Sequence, residues 1–183
     1  MAGTDPACAD AHGKARTEAH AEANADGRAL VAVFDSPVAR HLLHFATEVG
    51  FRTALVEPDP ARLADPTGQE DGGTAHSAVH PALLGPDVDV VVTDHHRPEL
   101  GEVLRDVLLG GPTRWVGVMG NPRHPAPHVA ALAALGVPED AVTRVHRPIG
   151  LNIGSRTPAE IAIATLAGLI ADRNHRPGGF HFG

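Results

Sequence analysis

The chain has 183 residues, 43% of them hydrophobic, and a formal charge of −7 from 15 Lys and Arg against 22 Asp and Glu. That length suits one domain with a real core. An acidic chain with no Lys/Arg cluster excludes nucleic acid and anionic membrane as expected partners. The only cysteine, Cys8, rules out an intrachain disulfide framework, a CxxC pair and a cysteine-based zinc site. No apolar run approaches the roughly 20 residues of a membrane span. The opening MAGTDPACADAHGK lacks the apolar stretch of a secretory signal, so the expected location is the cytoplasm.

Residues 1–28 contain no Val, Ile, Leu or Phe and are rich in Ala, Asp, Glu and His. They are expected to form a disordered leader, with transient helix as the alternative that the alanines allow. The folded domain is expected over 29–176 and a flexible tail over 177–183. Leu30–Phe34 reads as a buried strand, and Val38–Val49 places Leu42, Leu43, Ala46 and Val49 at helical spacing, ended by Gly50. Phe51–Val56 is a second strand. The Pro- and Gly-rich segment 58–86 offers one short strand near Ala78 and Val79. Val88–Thr93 is the clearest strand, followed by an amphipathic helix at Leu100–Leu109 and a strand at Arg114–Met119. A helix at His128–Leu135 and a short strand at Val142–Val145 come next. The last helix runs from Thr157 to about Arg173, and Thr157-Pro158-Ala159-Glu160 spells a capping box at its start. Apolar strands alternating with helices predict a single-domain α/β fold, a Rossmann-like, doubly wound parallel sheet.

In such a sheet ligands bind beyond the carboxyl ends of the strands, which singles out four segments. At the first turn a GxGxxG fingerprint is absent: Asp35 would repel a phosphate and Pro37 has no N–H, while Ser36 fits as a helix N-cap. Glu57, 22 residues after Asp35, has the spacing of a ribose-binding acid, although a plain turn carboxylate explains it too. The second segment, Thr93-Asp94-His95-His96, offers acid–base groups or metal ligands, and continued extension would put Asp94 and His96 on one side. A polar loop ahead of a helix is the competing reading. The third, Gly120-Asn121-Pro122-Arg123, carries an arginine suited to phosphate. The fourth, Gly150-Leu151-Asn152-Ile153-Gly154-Ser155, leads through Thr157 into a helix N-terminus and reads as an anion cradle or as a glycine-permitted loop. His41, His44, His124 and His128 are expected at the surface, since no spacing supplies a third metal ligand; no metal site is expected.

VDVVVTDHH, RWVGVMGN and above all RPIGLNIGSRTPAEIAIATLAGLIADRN resemble the C-terminal Rossmann domain of XdhC/CoxF-type proteins, over residues 30 to 176. The block His146–Asn174 is the most specific part. The resemblance implies a Rossmann-like fold and a role in maturing molybdenum hydroxylases such as xanthine dehydrogenase. Family members bind molybdenum cofactor, help it become sulfurated and hand it to the target enzyme. Three pocket motifs depart from the family. An FGAGHVA-like turn is here Phe34-Asp35-Ser36-Pro37-Val38-Ala39, a THDH-like strand end is Thr93-Asp94-His95-His96, and an MIGSRRK-like loop is Val118-Met119-Gly120-Asn121-Pro122-Arg123-His124. The family's N-terminal domain, with its cysteine, is expected to be missing.

Two functions are therefore expected. The first is an XdhC-like accessory protein that binds molybdenum cofactor (molybdopterin), or a similar phosphate-bearing ligand, and delivers it to a molybdenum hydroxylase without itself sulfurating it. The cofactor would meet Ser36, Glu57, Gly120, Asn121, Arg123, Gly150, Asn152, Gly154, Ser155 and Thr157. The second is an NAD(P)-dependent small-molecule oxidoreductase on a diverged site, with Asp35, Asp94, His95 or His96 as proton donor. NAD(H) is expected to bind weakly by the ordinary pyrophosphate mode. A plain interaction module and a homodimer are both compatible with the composition.

Overall fold

The computed structural model describes residues 27–63, 73–121, 123 and 125–179. Residues 1–26 of the leader expected over 1–28, and the end of the tail, lie outside them. Six parallel strands form one sheet in the order β3-β2-β1-β4-β5-β6. They are β1 (Ala29–Val33), β2 (Arg52–Val56), β3 (Thr74–His76), β4 (Gly85–Val92), β5 (Thr113–Val118) and β6 (Val145–His146). Chain order and spatial order part between β1 and β4, which are hydrogen-bonded neighbours in register Val33 to Val92. That junction is the switch point of a doubly wound sheet.

Helices cover both faces. On one side α3 (Leu100–Gly110) and α4 (Pro127–Ala134) bury Val103, Leu104, Val107 and Leu132 against Val31, Val90, Val92 and Val118. On the other, α1 (Pro37–Glu48) and α6 (Pro158–Arg173) bury Leu42, Ala46, Ala162, Leu166 and Leu169 against Leu30 and Val91. Leu30 and Val31, and likewise Val90 and Val91, serve opposite faces because strand side chains alternate, so the central strands read as unbroken apolar runs. Single turns complete the described elements: α2 (Pro60–Leu63), α5 (Glu139–Val142) and a 3₁₀ turn at Pro81–Leu83.

The expected elements are found with two differences. The edge strand is Thr74–His76 rather than near Ala78–Val79, because pairing with Ala54–Val56 of β2 fixes it there and the chain then bends toward Pro81. In 142–145 only Val145 joins the sheet. Pro138, with φ −57°, starts a helical turn that Glu139 and Asp140 favour in its first turn, and this turn takes up Val142.

Asp89 is fully buried within β4. Its two oxygens are held by Arg114 Nε of β5 at 2.6 Å and Arg173 Nε of α6 at 2.8 Å, and Arg173 Nη2 also donates to the Asp87 carbonyl at 2.6 Å. This clamp fixes the C-terminal end of α6 near the amino end of β4. Sixteen residues span about 24 Å, so α6, like α1, presents its N-terminus at the carboxyl edge of the sheet.

Candidate functional site

At the first turn every residue is committed to the fold. Ser36 Oγ accepts the Ala39 amide at 3.0 Å as the N-cap of α1 and donates to Thr93 Oγ1 at 3.0 Å, stitching β1 to β4 across the switch point. Asp35 pairs with Arg40 at 2.7 Å, one turn into α1. Glu57 is completely buried, and both its oxygens are taken: Oε2 accepts the Asp35 amide at 2.8 Å and Arg97 Nη1 at 3.0 Å, while Oε1 accepts the Asp59 amide at 2.9 Å and Arg97 Nη2 at 2.8 Å. Arg97 also lies over the ring of Phe34, 4.7 Å from its centroid, and Phe34 itself holds a left-handed φ of 69°. Two of the amides a pyrophosphate would use at this helix start, those of Asp35 and Ala39, are therefore spent on side chains, and a third is missing at Pro37.

Extension does not continue past Thr93. The Asp94 carboxylate accepts the His96 amide at 2.9 Å, the Asx-turn typical of that residue type, and this turns the chain at His95–His96. The continued extension that would put Asp94 and His96 on one side is therefore absent. Instead the His95 and His96 rings lie against each other, centroids 4.0 Å apart. They line an open cleft of about 490 Å³ with Asn121, Pro125 and Pro127. Burial, then the neighbouring His96 and Arg147, push the His95 imidazole below its ordinary pKa.

The loop after β5 is organised by Arg147. Its Nη2 donates to the Asn121 carbonyl at 2.9 Å, and a Cβ at Gly120 would stand 2.6 Å from its Nε. Gly120 thus makes room for a guanidinium of the protein itself, rather than for the approaching ligand expected of it. Asn121 Oδ1 accepts the Arg123 amide at 2.9 Å, which leaves Arg123 exposed at the rim.

The loop 150–157 divides in two. Gly150 (φ 85°) packs on α6: an added Cβ would lie 3.1 Å from the Ala164 backbone, and the next amide, Leu151, donates to the Ala164 carbonyl at 2.9 Å. Its close approach is to helix backbone, not to a ligand. The capping box is present as expected, and it uses the amides a phosphate would need: Arg156 N and Thr157 N donate to Glu160 Oε2 at 2.7 and 3.0 Å. Those two bonds, Thr157's foremost, hold the Glu160 carboxyl below its ordinary pKa. Asn152 and Gly154 remain exposed with Ser155 half-buried, and a Cβ at Gly154 (φ 71°) would meet nothing within 4 Å.

The profile of the XdhC Rossmann domain matches residues 30–169. The chain belongs to that family. It is 35% identical over 103 residues to the uncharacterized protein YqeB of Escherichia coli (strain K12), a match covering 56% of this chain and 18% of YqeB. Among solved structures it resembles a xanthine dehydrogenase from Bacillus halodurans with a TM-score of 0.63 and 25% identity, over 81% of this chain and 45% of that one. The chain thus spans less than half the length of either protein.

Two residues of this XdhC domain join the carboxyl edge without having been singled out in the sequence, and a third, His128, lies there against expectation. Arg97 locks Glu57. Arg147 organises the Gly120 loop. His128, expected at the surface, is only 3% exposed at the start of α4, and its Nδ1 has no hydrogen-bond partner in the structure. Burial and Arg147 push its imidazole below the ordinary pKa. Among the described residues no group of three or more His, Cys, Asp or Glu is placed to hold a metal ion, and no helix is long and apolar enough to cross a membrane.

Proposed function

We propose that this XdhC domain is an accessory protein of molybdenum-hydroxylase maturation, which holds molybdenum cofactor at the His95–His96–Asn121 cleft and passes it to the target enzyme. The observation that carries the reading is the gathering of nitrogen groups at one strand edge of an acidic chain: His95 and His96 with their rings in contact, buried His128 with an unpartnered Nδ1, and Arg147. Membership of the XdhC family and the likeness to a protein titled xanthine dehydrogenase support the same role.

The cleft suits such a ligand on three grounds. Its volume of about 490 Å³ falls in the range of small-molecule sites, about 300–1,000 Å³. Flat imidazole and proline faces pack against a planar heterocycle. The His95 and His96 imidazoles and the Asn121 amide that line the cleft can hydrogen-bond the polar edge of such a heterocycle. In this reading His95, His96 and Asn121 hold the pterin. Arg123 at the rim and the backbone of Asn152, Gly154 and Ser155, on the same sheet edge, hold the phosphate. When bound, the cofactor supplies the molybdenum centre on which the partner's hydroxylation chemistry depends. The protein's own residues bind, orient and shield it.

An NAD(P)-dependent oxidoreductase is the weaker reading, because Glu57, Ser36 and Asp35 are engaged at the dinucleotide turn. The test is reconstitution. Protein loaded with cofactor should restore activity to an apo molybdenum hydroxylase, and His95→Ala with Asn121→Ala should remove most of that transfer. Equal transfer by the double variant would refute the cleft as the binding site.

A further inference from the structure

The carboxyl edge of this sheet is divided into a closed half and an open half. In a doubly wound sheet a dinucleotide crosses the switch point, with one nucleotide over the β1–β2 end and the other over β4–β5. Here the β1–β2 half is filled by protein. Glu57 is wholly buried, Arg97 is 9% exposed, the two share a bidentate ion pair, and Arg97 lies over the Phe34 ring. Asp35, beside them, adds a carboxylate already paired with Arg40. The β4–β5 half carries the His95–His96–Asn121 cleft.

We infer that the Glu57–Arg97 pair is a specificity plug, which limits the ligand to the size of a single nucleotide: one planar heterocycle with one phosphate, and no second nucleotide attached. The inference rests on the proposed use of the cleft and adds the size limit to it. The chemistry is consistent on both sides of the divide. The closed half offers a second phosphate no free guanidinium, since the Arg97 fork is bonded to Glu57, and fewer amides than a glycine-rich turn, since those of Asp35 and Ala39 are bonded to side chains and Pro37 has no N–H. A ribose would find no free carboxylate oxygen on Glu57, and an adenine would have to displace Arg97 from Phe34.

Riboflavin 5′-phosphate and flavin adenine dinucleotide provide the test. They share a flat, nitrogen-rich ring system and a phosphate and differ only by an adenosine monophosphate. Titration of the full chain, followed by calorimetry, should show riboflavin phosphate binding at least tenfold tighter than the dinucleotide. In the paired variant Glu57→Gln with Arg97→Met, which leaves no charge buried alone, the gap should shrink to threefold or less with riboflavin phosphate affinity unchanged. Equal or tighter binding of the dinucleotide by the parent chain would overturn the plug while leaving the cleft in place. An undiminished gap in a folded paired variant would likewise overturn the role given to Glu57 and Arg97. Binding of neither flavin would overturn the cleft reading and the plug with it.

Discussion

Replacing Arg97 by Met isolates the energetic weight of the plug. The substitution keeps much of the side chain's length but removes the two hydrogen bonds at 3.0 and 2.8 Å that the guanidinium gives to Glu57. Glu57 is fully buried and would retain only the Asp35 and Asp59 amides at 2.8 and 2.9 Å. Breaking a buried ion pair from one side costs about 3–5 kcal/mol, because the remaining charge is left uncompensated. Since two amide donors persist, the lower end applies, about 3 kcal/mol. At roughly 2–4 °C per kcal/mol for a domain of this size, the Tm should fall by about 6–12 °C. Glu57→Gln in the Arg97→Met background removes the stranded charge and should recover most of that loss. Urea unfolding of the parent, both single variants and the pair measures the cycle. An Arg97→Met chain within about 1 kcal/mol of the parent would refute the reasoning, because Glu57 would then have access to water or to another cation.

Three further outcomes are expected. His128, and His95 with it, have pKa values pushed below the ordinary 6.5, so the unfolded chain binds protons that the folded chain does not; stability should be full above about pH 6.5 and fall as the pH drops below it, and His128→Phe should flatten the difference in urea midpoint between pH 7.5 and 5.5. Asp89→Asn should cost about 3 kcal/mol in thermal unfolding, since it leaves Arg114 and Arg173 without their shared carboxylate. Thr157→Ala removes the cap of α6 and should cost about 1 kcal/mol with little effect on ligand binding, whereas Gly154→Val, strained at positive φ by about 1–2 kcal/mol, should lower ligand affinity as well.

The scaffold was legible in the sequence because its signals are local. β1, β4 and β5 announce themselves as short β-branched runs, and Thr157-Pro158-Ala159-Glu160 marks the start of α6 within four residues. The site was less legible because its partners are distant or its turns competed with simple extension. Glu57 has the spacing of a ribose acid, but Arg97, 40 residues away, decides its role. Asp89 interrupts an apolar strand, and one of its partners, Arg173, lies 84 residues later. Asp94 looked like half of an acid–base pair until its own Asx-turn used it, and Gly120 looked like a phosphate glycine until Arg147 filled the space. His128 shows the same limit from the other side, since nothing within α4 alone buries it.

Native mass spectrometry of the protein, freshly purified from cells that make molybdenum cofactor, tests the proposed function most directly. A population carrying the added mass of a single-nucleotide-sized pterin cofactor is expected, and it should disappear in the His95→Ala, Asn121→Ala variant. A retained dinucleotide, or a pterin adduct that survives both substitutions, would contradict it.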